Sequence, residues 1–149
     1  MDLKIVREEM LNYGAKVGLK VEEETSEKLV VHSELTAKQH FSCTVYLRVV
    51  VFASGTIHVF LTFNEMEKTY DNLFLINKFN VENPWFRAYI ANINGKDYLE
   101  LHYTSFSIES EGEATETVGY LLTELLEDNT LKYLKPIVNG SNYLSYNDK

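Results

Sequence analysis

The side chains best suited to chemistry are a single cysteine, four histidines and a large excess of carboxylates. A cysteine nucleophile needs a base close by and an electropositive setting. The strand pairing derived below places Cys43 on an entirely apolar sheet face, where cysteine usually behaves as a small hydrophobic residue. We therefore predict that Cys43 is inert.

The histidines do not form a metal-binding motif. They are His32, His40, His58 and His102, and the sequence contains no H-E-x-x-H, H-x-x-x-H or C-x-x-C pattern. His58 and His102 fall on the same face of the predicted sheet and can meet there, but unrelated surface histidines are the favoured interpretation. Phosphate-binding loops and nucleophile elbows are also missing from the sequence. We predict no catalytic, cofactor-binding or metal-binding residues.

Two further polar groups have simple interpretations. The acidic run Glu22-Glu23-Glu24 lacks the alternating oxygen donors and the glycine of a calcium loop, so it predicts a solvated strand end. Asn77 and Asn80 are interpreted as residues that cap backbone groups, in preference to ligand-binding residues.

Composition limits the partners. Twenty-two acidic and fourteen basic residues give a net charge of −8, which argues against binding to a nucleic-acid backbone. The sequence has no run of eighteen apolar residues and no apolar secretory stretch at its start, and a single cysteine excludes an intramolecular disulfide framework. These features predict a cytoplasmic protein whose partners are neither nucleic acid nor membrane.

An Asn-Gly pair predicts the first β-hairpin. Asn94-Gly95 lies between two alternating apolar runs, and both central residues of a type I′ turn need positive φ. The resulting register places Phe86 opposite Tyr103, Ala88 opposite Leu101 and Ile90 opposite Leu99 on a core face. The other face pairs Trp85 with Thr104, Arg87 with His102, Tyr89 with Glu100 and Ala91 with Tyr98.

A second hairpin spans Phe41 to Phe63, and its loop length follows from the pattern. Only a three-residue loop, Ala53-Ser54-Gly55, makes one face entirely apolar. That face carries Cys43, Val45, Leu47, Val49, Val51, Ile57, Val59, Leu61 and Phe63. The reverse face carries Tyr46, Arg48, Val50, Phe52, His58, Phe60 and Thr62.

Helices and shorter strands complete the pattern. A first helix has the apolar stripe Leu3, Val6, Met10, Tyr13 and Val17 and ends at Gly18, with Gly14 as the earlier alternative. Strands follow at Leu19 to Glu23 and Leu29 to Ser33. A central helix begins between Asn64 and Thr69, with an inward stripe of Tyr70, Leu73, Phe74, Asn77 and Val81, and Asn80 near its end. A final helix follows the capping box Ser110 to Glu113, buries Val118, Leu121, Leu122, Leu125 and Leu126, and is ended by Pro136.

The order α-β-β-β-β-α-β-β-α predicts an α+β domain, an antiparallel sheet with helices on one face. We place this single domain at residues 1–136 and a polar C-terminal tail at residues 137–149. The tail contains Tyr143, Leu144 and Tyr146 and is either frayed or docked on another surface.

One part of the sequence resembles a known family. Leu75-Ile76-Asn77-Lys78-Phe79-Asn80, followed by Phe86-Arg87-Ala88-Tyr89, is similar to the signature of the YbjN-like family, and the order of elements from about Leu3 to Pro136 is similar as well. The resemblance implies a fold like that of the type III secretion chaperones, commonly dimeric, and a role in bacterial sensory-transduction regulation. It implies no catalytic residues.

These observations predict a non-enzymatic interaction domain, chaperone-like or a regulatory adaptor, that forms a homodimer and binds a partner protein or peptide. A small-ligand binding module and a hydrolase built from scattered residues remain as alternatives.

Interface cores are enriched in Tyr, Trp, Phe and Arg. The candidate interaction surface is therefore the reverse face of the sheet, with Tyr46, Arg48, Phe60, Trp85, Arg87, Tyr89, Tyr98 and Glu100. A cover formed by the chain's own N-terminal helix, its tail or a neighbouring strand is an equal alternative.

Overall fold

The computed structural model describes residues 1–14, 18–35, 43–125, 130 and 132–138. In chain order the elements are α1 (Leu3–Tyr13), β1 (Lys20–Glu24), β2 (Lys28–Leu35), β3 (Val45–Phe52), β4 (Ile57–Glu65), α2 (Tyr70–Glu82), β5 (Arg87–Ile93), β6 (Lys96–Ser105), α3 (Glu111–Leu125) and α4 (Lys135–Val138). This order confirms the predicted α+β class and adds α4.

Within the described ranges, every helix is too short or too polar to cross a membrane.

The strands form one antiparallel sheet in the order β1-β2-β3-β4-β6-β5. Val51 lies opposite Ile57, which confirms the three-residue loop between β3 and β4. Gly55 in that loop has a φ of +104°, a conformation that glycine adopts without steric cost. The β5–β6 pairs follow the predicted register from Arg87 opposite His102 onwards.

The apolar face of the sheet is buried under the helices. Every predicted core residue of β3 and β4 from Val45 to Phe63 is buried. The helices add Leu3, Val6 and Met10 from α1, Ile76 and Phe79 from α2, and Ala114, Val118, Leu121 and Leu125 from α3. Gly119 lets α3 approach α1, because a Cβ there would lie 2.7 Å from the Tyr13 hydroxyl.

The end of α1 differs from the preferred prediction. The helix ends at Tyr13 and the N–H of its cap residue, Gly14, donates to Met10 O, so the earlier alternative is correct. A Cβ at Gly14 would lie 2.2 Å from Leu19 Cδ1, which means that Leu19 packs directly over this glycine. Gly18 still has a positive φ of +70°. Val17 lies outside the described residues.

The predicted inward stripe of α2 is wrong. The helix begins after Thr69, the later end of the predicted range, and Thr69 is the N-cap, with its Oγ1 accepting from Asn72 N at 3.1 Å. The residues that face the core are Ile76 and Phe79. The predicted stripe of Tyr70, Leu73, Phe74, Asn77 and Val81 points outward.

Asn80 caps a backbone group, but in a strand and not in its own helix. Its Nδ2 donates to Ala88 O at 2.9 Å, and its Oδ1 accepts from Ala88 N at 2.7 Å. The side-chain amide therefore pairs with the free edge of β5, as a neighbouring strand would. Asn83, three residues later, is the C-cap of α2.

The C-terminal part of the domain, α3 and α4, matches the prediction in some contacts and differs in others. Ser110 Oγ accepts from Glu113 N at 3.2 Å, which confirms half of the capping box, while the Glu113 carboxylate accepts from Glu109 N at 3.0 Å. Leu122 is only half-buried, and Leu126 lies outside the described residues. Pro136 lies inside α4, where the first helical turn tolerates proline. Ile137 and Val138 are buried, so packing extends beyond the predicted boundary at residue 136.

Candidate interaction surfaces

The first candidate surface is the face of the sheet opposite the helices, called here the open sheet face. All the predicted surface residues except Trp85 belong to strand positions on it: Tyr46, Arg48, Phe60, Arg87, Tyr89, Tyr98 and Glu100. Most of its large side chains are half-buried by their neighbours, although Tyr46 is 53% exposed. The helices contribute to the core on the other side, so α1 does not cover this face.

Two histidines meet at the centre of the open sheet face. His58 Nδ1 lies 3.1 Å from His102 Nε2, and Thr104 Oγ1 lies 3.0 Å from the first nitrogen and 2.8 Å from the second. Phe60 stacks on His102 with 4.4 Å between ring centroids. Burial, followed by the nearby His58, lowers the pKa of His102. The interpretation of these histidines as unrelated is therefore wrong, because β4 and β6 are sheet neighbours.

Glu100 organises a second polar group on this face. The Tyr89 hydroxyl and Thr62 Oγ1 both donate to its carboxylate, the latter at 2.9 Å. Burial raises the pKa of Tyr89 well above the ordinary value, and the bond to Glu100 raises it further. Tyr89 is therefore a neutral donor at every physiological pH.

Arg48 is also paired within the chain. Its Nη2 lies 3.0 Å from Glu22 Oε2 of β1. A shallow cavity of about 320 Å³ lies beside this pair, lined by residues that include Phe60, Thr62 and Glu100. The polar groups of the open sheet face thus satisfy one another to a large extent.

Trp85 does not lie on the open sheet face, and its predicted position is wrong. Asn83 Oδ1 accepts from Trp85 N at 2.9 Å and from Phe86 N at 2.7 Å, so a side-chain turn precedes β5 and the ladder begins only at Arg87. The indole packs edge-on against Tyr120 of α3, with 5.1 Å between centroids.

The second candidate surface is an apolar stripe on α2 that sequence reasoning assigned to the core. The α2 stripe consists of Tyr70, Leu73, Phe74 and Val81, which are 81%, 48%, 50% and 78% exposed. At 100° per residue, this stripe lies directly opposite the buried Phe79. Helical periodicity identified which residues share this face but assigned the face to the core, whereas the residues that face the core are Ile76 and Phe79.

Charged residues border the α2 stripe on one side. Asp71 and Lys78 lie at nearly the same angle around the helix, two turns apart. Lys78 Nζ lies 5.7 Å from the Phe74 ring centroid and 5.4 Å from that of Tyr133. The stripe is therefore an apolar strip with one acidic and one basic group at its margin.

The described residues offer little support for metal binding or covalent chemistry. No group of three or more His, Cys, Asp and Glu residues in these ranges is arranged to hold a metal ion. Burial raises the pKa of the Cys43 thiol, so this half-buried side chain stays protonated at neutral pH. His40 lies outside the described residues.

Comparisons of the chain with protein-family models, with curated proteins and with solved structures found no match. The similarity to the YbjN-like family therefore stays a prediction, drawn from the short segments around Asn77 and Phe86.

Proposed function

We propose that this protein is a non-enzymatic interaction domain that forms a homodimer through the α2 stripe. The observation that carries the proposal is the outward position of four large apolar side chains on one regular helix. Exposed apolar side chains that follow one helical face are typical of protein–protein contact sites, since their burial is the main source of binding free energy.

A second copy of the chain is the occupant that the stripe fits best. Two-fold symmetry requires a self-complementary surface, and an apolar helix stripe meets this requirement when two copies pack antiparallel. In that arrangement Tyr70 contacts the partner's Val81, while Leu73 and Phe74 lie over the middle of the partner helix. Asp71 then faces the partner's Lys78, so that the symmetry produces two ion pairs.

The proposal includes a cytoplasmic setting and a chaperone-like or adaptor role toward a partner protein or peptide, as the family resemblance implied. The single free cysteine suits a reducing compartment. The net charge of −8 disfavours nucleic acid as that partner.

The two alternative functions have weaker support. The cavity of about 320 Å³ on the open sheet face is large enough for a small ligand, but Arg48 and Glu100 beside it are already engaged with partners in the chain. A hydrolase could use the Thr104 hydroxyl beside two imidazoles. However, efficient hydrolysis also uses preorganised donors that stabilise an oxyanion, and the backbone N–H groups beside Thr104 belong to the β4–β6 ladder.

Analytical ultracentrifugation tests the dimer directly. We expect the wild-type chain to sediment as a dimer at high micromolar concentration and the Leu73→Ser/Phe74→Ser variant as a monomer with a native far-ultraviolet dichroism spectrum. Tyr46→Ser is the matched control, because Tyr46 is exposed to a similar degree on the open sheet face. It should leave the dimer intact.

Charge reversal tests the antiparallel register. Asp71→Lys and Lys78→Asp should each weaken the dimer, and the two changes together should restore it. The two positions are about 10 Å apart along one helix, too far to pair within a single copy. A monomeric wild type would refute the homodimer. If deletion of residues 139–149 then produced a dimer, the tail would be the true occupant of the stripe.

A further inference from the structure

A surface cavity next to Trp85 combines aromatic rings with carboxylates. Its volume is about 370 Å³, and it is lined by Trp85, Tyr103, Glu113, Glu116, Thr117, Tyr120 and Leu121. Trp85 and Tyr120 meet at an interplanar angle of 73°, so that their rings form two walls of a corner. This site is separate from both the open sheet face and the α2 stripe.

The corner is held by defined contacts. The backbone of Trp85 is fixed by the Asn83 side chain, whose Oδ1 accepts from Trp85 N at 2.9 Å. Tyr120 lies on the regular helix α3, and its ring is held against the Trp85 indole with 5.1 Å between centroids. Glu113 is positioned by the hydrogen bond from Glu109 N at 3.0 Å, whereas Glu116 is exposed at the rim. The two rings and the Glu113 carboxylate are therefore held in place before a ligand binds, whereas Glu116 contributes charge from an exposed position.

We propose that this cavity binds an alkylammonium cation, with a trimethylammonium group as the best fit. Aromatic faces carry negative potential and attract cations, and ring cages of this kind suit quaternary ammonium groups. The two glutamates add attraction for positive charge and disfavour anions. A methylated ammonium is easier to dehydrate than a primary ammonium, whose compact charge is strongly hydrated.

The cation can belong to a free metabolite or to a methylated lysine side chain on a protein partner. Both present the same chemistry to the rings, and an experiment can separate them. Trp85 is the only tryptophan in the chain, so fluorescence excited at wavelengths that tyrosine does not absorb reports on this cavity alone.

Fluorescence titrations with tetramethylammonium, choline and 3,3-dimethylbutan-1-ol test the proposal. The last compound has the shape of choline without its charge. We expect saturable changes with both cations and at least about five-fold weaker binding of the neutral alcohol. A trimethyllysine peptide that binds more tightly than choline identifies a protein source, whereas tighter binding of choline identifies a metabolite.

Two variants test whether choline binds in this cavity. Tyr120→Leu keeps a bulky apolar residue on α3 but removes one wall, and Glu116→Gln removes an exposed charge without any role in packing. Each should weaken choline binding about three- to ten-fold, while the control Tyr70→Leu on α2 should not change it. The proposal is refuted if choline gives no saturation, if the neutral alcohol binds equally well, or if Glu116→Gln and Tyr120→Leu both bind choline as the wild type does. If Tyr120→Leu fails to fold, the test depends on Glu116→Gln alone, and the proposal is refuted if this variant binds choline as the wild type does.

Discussion

The open sheet face and the α2 stripe both carry large side chains on a regular element. They differ in the kind of surface that they expose to solvent. On the sheet, Tyr89 and Thr62 donate to Glu100, and Arg48 pairs with Glu22. On α2, Tyr70 and its apolar neighbours point away from the core. The sheet face is polar and internally bonded, whereas the stripe leaves apolar surface in water.

This difference shows that the number of aromatic rings on a surface is a poor guide to its role. Rings in a sheet shield one another across strands, and their hydroxyls find partners in the neighbouring strands. A helix surface is convex, so its side chains diverge and shield one another less. The exposed apolar area on α2 therefore makes the stronger demand for a partner.

The largest expected effect separates the two faces of α2. Phe79→Ala should lower the free energy of unfolding by about 3–5 kcal/mol, because Phe79 is fully buried. Phe74→Ala should change it by no more than about 0.5 kcal/mol in the monomer. Urea denaturation at low protein concentration measures both. Similar losses for the two variants would mean that the stripe is part of the core.

An intermediate effect tests whether the open sheet face is internally bonded. Glu100→Ala removes the acceptor of both Tyr89 and Thr62 and should cost about 1–2 kcal/mol of unfolding free energy. Adding Tyr89→Phe to that variant should cost less than the same change in the wild type, since the bond is already lost. The control is Glu65→Ala, which removes only an exposed ion pair with Lys96. If the losses of unfolding free energy from Glu100→Ala and Tyr89→Phe were additive, the two side chains would not share a network.

The smallest effect concerns pH. The pKa of His102 is lowered in the folded state, so below the ordinary histidine pKa of about 6.5 the unfolded chain takes up a proton that the folded chain resists. Stability should therefore decline as the pH falls below about 6.5, and His102→Asn should reduce that decline. His32→Asn serves as the control. Thermal denaturation between pH 8 and pH 5 measures the slope, and an unchanged slope in His102→Asn would refute the coupling.

Local rules in the sequence predicted much of the sheet. The Asn94-Gly95 turn and the three-residue loop ending at Gly55 set both hairpin registers, because each depends only on nearby residues. The contact between His58 and His102 depends on β4 and β6 being neighbours. That pairing joins two separate hairpins, and no short-range pattern encodes it.

The errors in the candidate surfaces have physical causes. An apolar period shows that a helix is amphipathic, but α2 also has Ile76 and Phe79 on its other face, so the period alone cannot choose the buried side. Trp85 was assigned by extending a strand register past Asn83, whose side chain forms a turn there. The buried side of α2 is decided by tertiary contacts that are distant in sequence, whereas the position of Trp85 is decided by a side-chain turn only two residues away.

The amide of Asn80 has a consequence for aggregation. Free strand edges are where sheets grow into fibrils, and this side chain occupies the backbone groups of Ala88 on the β5 edge. The opposite edge, β1, has an irregular register between Val21 and Glu23 and carries consecutive glutamates, which repel an incoming strand of the same sequence. Strand-by-strand polymerisation is thus opposed at both ends of the sheet, and closed assembly through a helix becomes the safer route to a complex.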